Sequence, residues 1–366
     1  MREPARKRQA RIADLVESRG SARITDLADE LGVSVVTVRR DVEELARRGE
    51  VRRGHGVARS LQPMAAASTV PPDGVTGDTV GMVIPERNSY LTESVQAARE
   101  AAEKAGLRLA LHIAADEHDA ERTAVRSALD AGARGLLLSP RWRTADEAAR
   151  DHSWLHDLDV PVVLLERRPE RGSSHYELDC VRSDHAYGVH LALGHLTSLG
   201  HRRIVLAARD DSPTARVIQA EFAGQTAARG IGEGCTAILS SRTAGPDPRA
   251  ADPRAVDLAE TLRGTGATAT LIHSDMDALV LVQRLREAGV EVPRDCSVVA
   301  YNDVVADMGQ IALTAVAPPK AEVGRAALGL LLRQLDHARE GRWPGAARHL
   351  ELLPGLVVRD STAPRS

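Results

Sequence analysis

The sequence predicts two unlike parts: a small head of three helices with a short β-wing, and a large α/β body of two lobes built on parallel sheets. Three observations predict this. First, charge is split along the chain. Residues 1–60 hold 14 basic against 10 acidic side chains, a net of +4, and the remainder holds 34 against 41, a net of −7. Second, residues 60–78 (SLQPMAAASTVPPDGVTGD) contain three prolines and no Lys or Arg. Such a stretch reads as a linker, with a spread of about 20–25 Å if it behaves as a flexible coil. Third, short apolar runs alternate with amphipathic segments throughout the rest, the pattern of βαβ units whose sheets are buried on both faces. The expected division is therefore 1–59, 60–78 and 79–366.

Composition removes several classes of function. No apolar run approaches the ~18 residues needed to span a bilayer, and MREPARKRQARIADL has no apolar signal core, so no membrane association and a cytoplasmic location are expected. Cys180, Cys235 and Cys296 stand too far apart for a disulfide framework or a zinc cluster. No metal or other cofactor is expected. With 3 Trp, 4 Tyr and 1 Phe in 366 residues, a stacking platform for single-stranded nucleic acid is disfavoured. A basic head on an acidic body points to a polyanion met by the head alone.

In the head, Ile12, Leu15 and Val16 mark a first amphipathic helix that Gly20 closes. Thr25 caps a second, carrying Leu27, Ala28 and Leu31. After the turn at Gly32-Val33, Ser34 caps a third helix in which Val38, Val42 and Leu45, at i, i+4 and i+7, face the core. Val36, Arg39 and Arg40 fall on another side. Two helices joined by a glycine turn, the second with paired arginines near a capped start, make a helix-turn-helix. Arginine there can bond guanine bidentately, and valine or threonine methyls can meet thymine. The stretch from Val51 to Val57 reads as a β-wing with a basic tip for phosphate. The candidate DNA-binding residues are Ser34, Val35, Val36, Thr37, Arg39, Arg40, Arg52, Arg53 and His55.

In the body, the expected strands are VGMVI (80–84), LRLALHI (107–113), GLLLS (135–139), VPVVLLE (160–166), RRIVLAA (202–208), TAILSS (236–241), ATLIHS (269–274) and CSVVAYN (296–302). Gly106, Gly200, Gly230 and Gly289 stand where helices should stop. Eight strands exceed one simple doubly wound sheet, hence two lobes. Gly230 to Gly234 follow a helix and precede a strand, the reverse of a nucleotide-binding loop. His152 and His156 lack the further ligands a metal needs.

The stretches RQARIADLVESRG, LADELGVSVVTVRRDVEELARRGEV and RRGHGVA, over residues 6–58, resemble the DeoR-type winged helix-turn-helix. The signature residues are Ser34, Thr37, Val38, Arg39, Arg40, Asp41, Val42 and Leu45. From 79 to 364 the chain resembles the effector domain of the LacI/GalR regulators, which has the periplasmic-binding-protein fold. VGMVIPERNSYLTESVQAAREAAEKAGLRLAL, GARGLLLSP, VPVVLLERR, SDHAYGVHLALGHLTSLGHRRIVL, SDMDALVLVQRLREAGVEVPRDCSVVAYND and LTAVAPPKAEVGRAALGLLL follow in the family's order. The resemblance implies two lobes, three chain crossings, and a ligand cleft at the strand ends. The first and last parts would build one lobe.

Carried over position by position, the resemblance offers Asn88 and Tyr90 in the loop after the first strand, with Tyr90 stacking on a sugar ring. It also offers Glu166-Arg167 after the fourth strand, Asp184, Ser274-Asp275 and Asn302. Ile218 stands where the family grips its ligand with arginine, and Lys320 where an aromatic side chain is frequent. The expectation is that Lys320 supplies a relocated cation while Tyr90 and Ile218 cover a less polar face. Together these features imply a transcriptional regulator, a repressor by expectation and not an enzyme. Its partners would be a double-stranded DNA operator with an inverted repeat, a small sugar-like effector and a second copy of the chain as a homodimer. Two rival readings stay open: a sugar-metabolism enzyme fused to a DNA-binding head, and a ligand-independent DNA-binding protein.

Overall fold

In the computed structural model the described residues are 8–9, 11–12, 21–23, 27–28, 31, 33–48, 51–54, 57–60, 78–86, 89–115, 119–142, 153–155, 157–240, 257–341 and 345–365. The chain divides into two compact units, Met1–Val75 and Thr76–Ser366. The first contains β1 (Ser21–Arg23), α1 (Val35–Arg47), β2 (Val51–Gly54) and β3 (Val57–Ser60). These strands form an antiparallel sheet in the order β1-β3-β2, with Arg53 opposite Ala58 in the hairpin that makes the wing. The helical spacing of Val38, Val42 and Leu45 drives all three into a small core with Ile12, Leu27 and Ala28.

The second unit is two doubly wound lobes. The chain builds the first with β4 (Thr79–Pro85), α2 (Thr92–Lys104), β5 (Arg108–Ala114), α3 (Ala120–Asp130), β6 (Ala133–Leu138), β7 (Val162–Leu165) and β8 (Asp179–Ser183). It crosses to the second through α4 (His185–Ser198), β9 (Ile204–Ala208), α5 (Pro213–Ala228), β10 (Thr236–Leu239), α6 (Leu258–Thr265), β11 (Ala269–Ile272), α7 (Asp275–Glu287), β12 (Ser297–Tyr301) and β13 (Thr314–Ala317). It then returns with α8 (Lys320–Arg339) and β14 (His349–Leu352), and crosses a third time to β15 (Gly355–Val357). The sheet orders are β14-β8-β7-β6-β4-β5 and β10-β9-β11-β12-β13-β15, and every pairing is parallel except β13 with β15.

All eight expected strands are present. The central ones carry runs with no exposed surface, such as Val80, Met82 and Val83, or Val298, Val299 and Ala300, whereas the edge strands β5 and β10 are only partly buried. Burying one such side chain contributes about 1.5–3 kcal/mol. Helices α2 and α8 cover one face of the first sheet and α3 the other. In the second lobe α6 and α7 cover one face, and α4 and α5 the other. Glycines 106, 200, 230 and 289 all have positive φ at helix ends, as expected. At Gly324 a β-carbon would stand 2.1 Å from the Ser94 carbonyl oxygen, so α8 lies backbone to backbone on α2. One expectation is corrected: the last part of the chain is shared between the lobes. Beyond β14 it belongs to the second lobe, where Ser361 donates to the Val298 carbonyl at 2.6 Å and His201 Nε2 to that of Ala363 at 3.0 Å.

Candidate functional site

In the head, Ser34 Oγ accepts from the Thr37 amide at 3.2 Å and meets the Thr37 hydroxyl at 2.8 Å, capping α1 as its residue type predicts. With Val38, Val42 and Leu45 turned inward, Val35 and Arg40 are exposed. The side chains of Val36, Arg39, Arg52 and Arg53, and the whole of His55 and Asn88, lie outside the described residues. Asp41 is buried and joins the first helical segment to α1. It accepts from Arg8 Nε at 2.6 Å and Gln9 Nε2 at 2.9 Å, and Gln9 Oε1 in turn accepts from Arg48 at 2.6 Å.

In the body, the C-terminal ends of the parallel strands gather the polar residues, where open α/β sheets bind ligands. Four of the six described non-glycine residues with positive φ follow strands here: Glu166 (53°), Ser274 (78°), Asn302 (97°) and Asp303 (51°). Backbone of this kind costs about 1–3 kcal/mol per residue and collects at functional sites.

On the first lobe, the Glu166 carboxylate is buried. It accepts from the Tyr90 hydroxyl at 2.8 Å, the Ser183 hydroxyl at 2.8 Å and the Ser183 amide at 3.1 Å. His185 Nε2 lies 3.7 Å away. Burial alone would raise the Glu166 pKa; His185, the Ser183 amide and Tyr90 outweigh it and hold the carboxyl below its ordinary value. Arg167 is also buried. It donates to the carbonyls of Pro140 and of Glu166, the latter at 2.7 Å, and burial brings it down to about 10. His185 opens α4 of the second lobe, so its approach to Glu166 joins the two lobes; its Nδ1 lies 3.3 Å from the Tyr301 hydroxyl and its Nε2 3.5 Å from Thr214 Oγ1.

On the second lobe, Asp275 accepts from the amides of Met276 at 3.0 Å, Val305 at 2.6 Å and Val304. Its carboxylate thus fastens the loop after β12. Asp184 caps α4, accepting from the Tyr187 amide at 2.9 Å, and Asp303 pairs with Arg359. Among the described residues of this lobe, two buried side-chain atoms have no protein partner, Asn302 Oδ1 and His273 Nδ1; on the first lobe Ser139 Oγ, just beyond β6, has none either. Burial and the neighbouring His185 and Arg209 push the His273 pKa down to about 3, so its imidazole is neutral.

Three expectations are corrected. Ile218 has no exposed surface and packs with Val189, Leu193 and Phe222 in the core rather than covering a ligand. The Tyr90 ring packs on the first-lobe core, and its hydroxyl is taken by Glu166. Lys320 is only 3% exposed; Nζ donates to the Asn302 carbonyl at 2.6 Å and pairs with Glu93 at 3.3 Å, so its charge is already met. His273, Ser183 and Tyr301 join the site without having been singled out. The sequence signal for His273 is an imidazole ending the apolar run ATLIH. For Tyr301 it is Gly188, where a β-carbon would stand 2.0 Å from the tyrosine hydroxyl.

A wide groove of about 1070 Å³ lies at the opposite end of the second lobe, between Arg202, Arg203, Arg229 and the Gly230–Gly234 loop. Arg203 and Arg229 donate there to the carbonyls of Thr265 and Gln225, near the C-termini of α6 and α5, the ordinary place for cations on helices. Among the described residues no group of three or more His, Cys, Asp or Glu is placed to hold a metal ion.

Residues 8–64 match the DeoR-like helix-turn-helix domain, and residues 193–362 match the periplasmic binding protein-like domain. The chain is 24% identical to the arabinose metabolism transcriptional repressor of Halalkalibacterium halodurans, over 92% of this chain and 89% of that one. It is 26% identical to the HTH-type transcriptional regulator MalR of Streptomyces coelicolor, over 94% and 97%. The crystal structure of a LacI transcriptional regulator from a Rhodococcus species superposes with a TM-score of 0.64 at 25% identity, covering 78% of this chain and 98% of that one. The protein joins a DeoR-like helix-turn-helix domain to a periplasmic-binding-protein-like body of the kind that LacI-type transcriptional regulators carry.

Proposed function

We propose that this protein is a cytoplasmic DNA-binding repressor whose head reads an operator and whose body senses a small, uncharged, sugar-like effector between its lobes. The observation that carries this reading is the division of α1: Val38, Val42 and Leu45 are buried, while Ser34 caps the start and Arg40 stands exposed. Arg39 and Arg40 would read bases with Ser34, Val35, Val36 and Thr37, and Arg52, Arg53 and His55 would hold phosphates. One such helix covers one half-site, so a homodimer on an inverted repeat is the expected arrangement. The uncharged effector follows from the cleft. Glu166, Arg167, Asp275 and Lys320 are all engaged within the protein. The open groups at the strand ends, Ser139 Oγ, Asn302 Oδ1 and His273, are neutral. The same engagement favours binding over catalysis, since neither buried carboxylate is placed as a free acid or base. A relative named for arabinose metabolism supports a sugar.

The test begins with a duplex selected by the full-length protein from a randomised pool. Arg40→Ala should cost about 1–3 kcal/mol of affinity for it if Arg40 reads a guanine. Arg52→Ala with Arg53→Ala should weaken selected and scrambled duplexes alike and reduce the salt dependence. Failure to enrich any duplex would sink the reading. A thermal-shift screen of neutral pentoses and hexoses against sugar acids and sugar phosphates tests the effector: a ligand at 100 times its Kd adds about 2.7 kcal/mol, and stabilisation by the charged compounds alone would overturn its assigned neutrality.

A further inference from the structure

Lys320 begins α8, and its backbone is anchored on the first lobe: Ser94 on α2 donates to the Lys320 carbonyl at 2.8 Å, one turn before the close approach of Gly324. Its side chain runs the other way. Nζ reaches the backbone carbonyl of Asn302, just beyond β12 on the second lobe, at 2.6 Å. On the first-lobe side the same ammonium lies 3.3 Å from Glu93 and 6.0 Å from the centre of the Tyr90 ring. A single buried cation is therefore held from one lobe and donates to the other. Asn302, the residue it grips, has φ of 97°, so a strained peptide is fixed from the opposite lobe.

We propose that Lys320 is a built-in latch, which holds the two lobes together with no effector present and so regulates access to the effector cleft. The regulatory meaning rests on the effector reading above; the latch itself does not. A carbonyl accepting from a buried ammonium makes one of the stronger hydrogen bonds a protein forms. The geometry also gives the latch a direction. The lobes cannot part without withdrawing Nζ from the Asn302 carbonyl, whereas Glu93 and Tyr90 travel with Lys320 and keep the ammonium partnered on the first lobe. Opening thus leaves one carbonyl to water rather than a bare buried charge. The latch is strong enough to bias the lobes and weak enough to release.

The experiment uses the full-length protein carrying spin labels at Glu86→Cys on the first lobe and Asp307→Cys on the second, both exposed positions, in a Cys235→Ser background; Cys180 and Cys296 are buried. Double electron–electron resonance is recorded without DNA or effector. The parent should give one narrow distance, and Lys320→Met should add a longer one, raising the population of parted lobes by about tenfold or more. A parent that already shows broad or double distances overturns the latch whether or not the variant folds. A folded Lys320→Met protein with the parent's distribution overturns it as well. Should Lys320→Met not fold, Glu93→Gln is read instead, with the opposite sign. It removes the first-lobe partner and leaves Nζ on the Asn302 carbonyl, so the single narrow distance should persist, and a longer one overturns the latch. A protein that fails to enrich any duplex yet meets these expectations refutes the regulator and leaves the latch standing. One that binds DNA but fails them does the reverse.

Discussion

The two halves of the cleft are built on different plans. At the strand ends of the first lobe, Tyr90, Glu166, Ser183 and Arg167 satisfy one another or nearby carbonyls, and Ser139 Oγ, just beyond β6, is buried without a partner. At those of the second, Asn302 Oδ1 and His273 Nδ1 are buried without partners, and three residues that follow two strands, Ser274 after β11 and Asn302-Asp303 after β12, have positive φ. A closed polar network rigidifies what it joins, whereas an unpaired buried group costs free energy until something pairs it. On the proposed function, this difference makes the first lobe the frame and the second the reading surface.

Substitutions can break or sharpen that contrast. The largest effect is expected at Glu166. Glu166→Ala leaves Tyr90, Ser183 and His185 facing a gap and should destabilise the first lobe by about 3–5 kcal/mol. Urea unfolding followed by Trp142 and Trp154 fluorescence measures it. A loss below about 1 kcal/mol would remove the frame from the first lobe.

Acid distinguishes the lobes next. The folded pKa of His273 is about 3, far below the ordinary 6.5. The unfolded chain therefore takes up the proton first, and stability present above pH 6.5 falls as pH drops towards 3, by up to about 1.4 kcal/mol per unit. His273→Gln should flatten this part of the stability profile. Glu166 is also depressed, but from the carboxylate value, so its contribution persists above about pH 4.3 and is lost only as pH falls through its lower folded value. A profile unchanged by His273→Gln between pH 6.5 and 4.5 contradicts a neutral buried imidazole.

Gly188→Ala comes third. The added methyl meets the buried Tyr301 hydroxyl at 2.0 Å, and overpacking of this kind costs about 1–3 kcal/mol. Thermal unfolding should register it, and a neutral result would mean that Tyr301 is free to move aside. Asn302→Gly is the smallest and has the opposite sign. It relieves a strained φ and removes an unpaired oxygen, gaining about 1 kcal/mol, while the thermal shift given by the effector should shrink. Gain in stability with undiminished ligand response would take Asn302 out of the reading surface.

Where periodicity and apolar runs decide structure, the sequence is readable: it marks the buried edge of α1 and eight parallel strands. β8 is not marked, because DCVRS mixes charge into a short strand. Its Asp179 is buried because Arg333 and Gln334, on the distant α8, and the Arg348 amide donate to it. The site was legible as positions but not as roles. Family correspondence brought Asp275 and Lys320 to the right strand and helix ends. It could not tell that Asp275 would fasten backbone amides or that Lys320 would find a carbonyl eighteen positions away. Ile218 illustrates the same limit, since an apolar residue on a helix serves a cleft or a core depending on rotations fixed by its neighbours. Which partner a polar group takes is settled by long-range packing, and no local pattern encodes that.

The three crossings of the body, at 183–185, 317–320 and 352–355, also have a consequence for synthesis. The chain emerges from the ribosome head first, so the helix-turn-helix can fold while the body is still being made. The first lobe must wait. Its sheet lacks the β14 edge, and one face lacks α8, until residues 320–352 arrive, after nearly all of the second lobe. The nascent protein therefore passes through a stage with Val323, Leu328 and Leu331 missing from the first-lobe core and that face of the sheet covered by α2 alone. That interval is when aggregation and chaperone capture compete with folding, and premature termination before Lys320 would release a DNA-binding head attached to a body that cannot close.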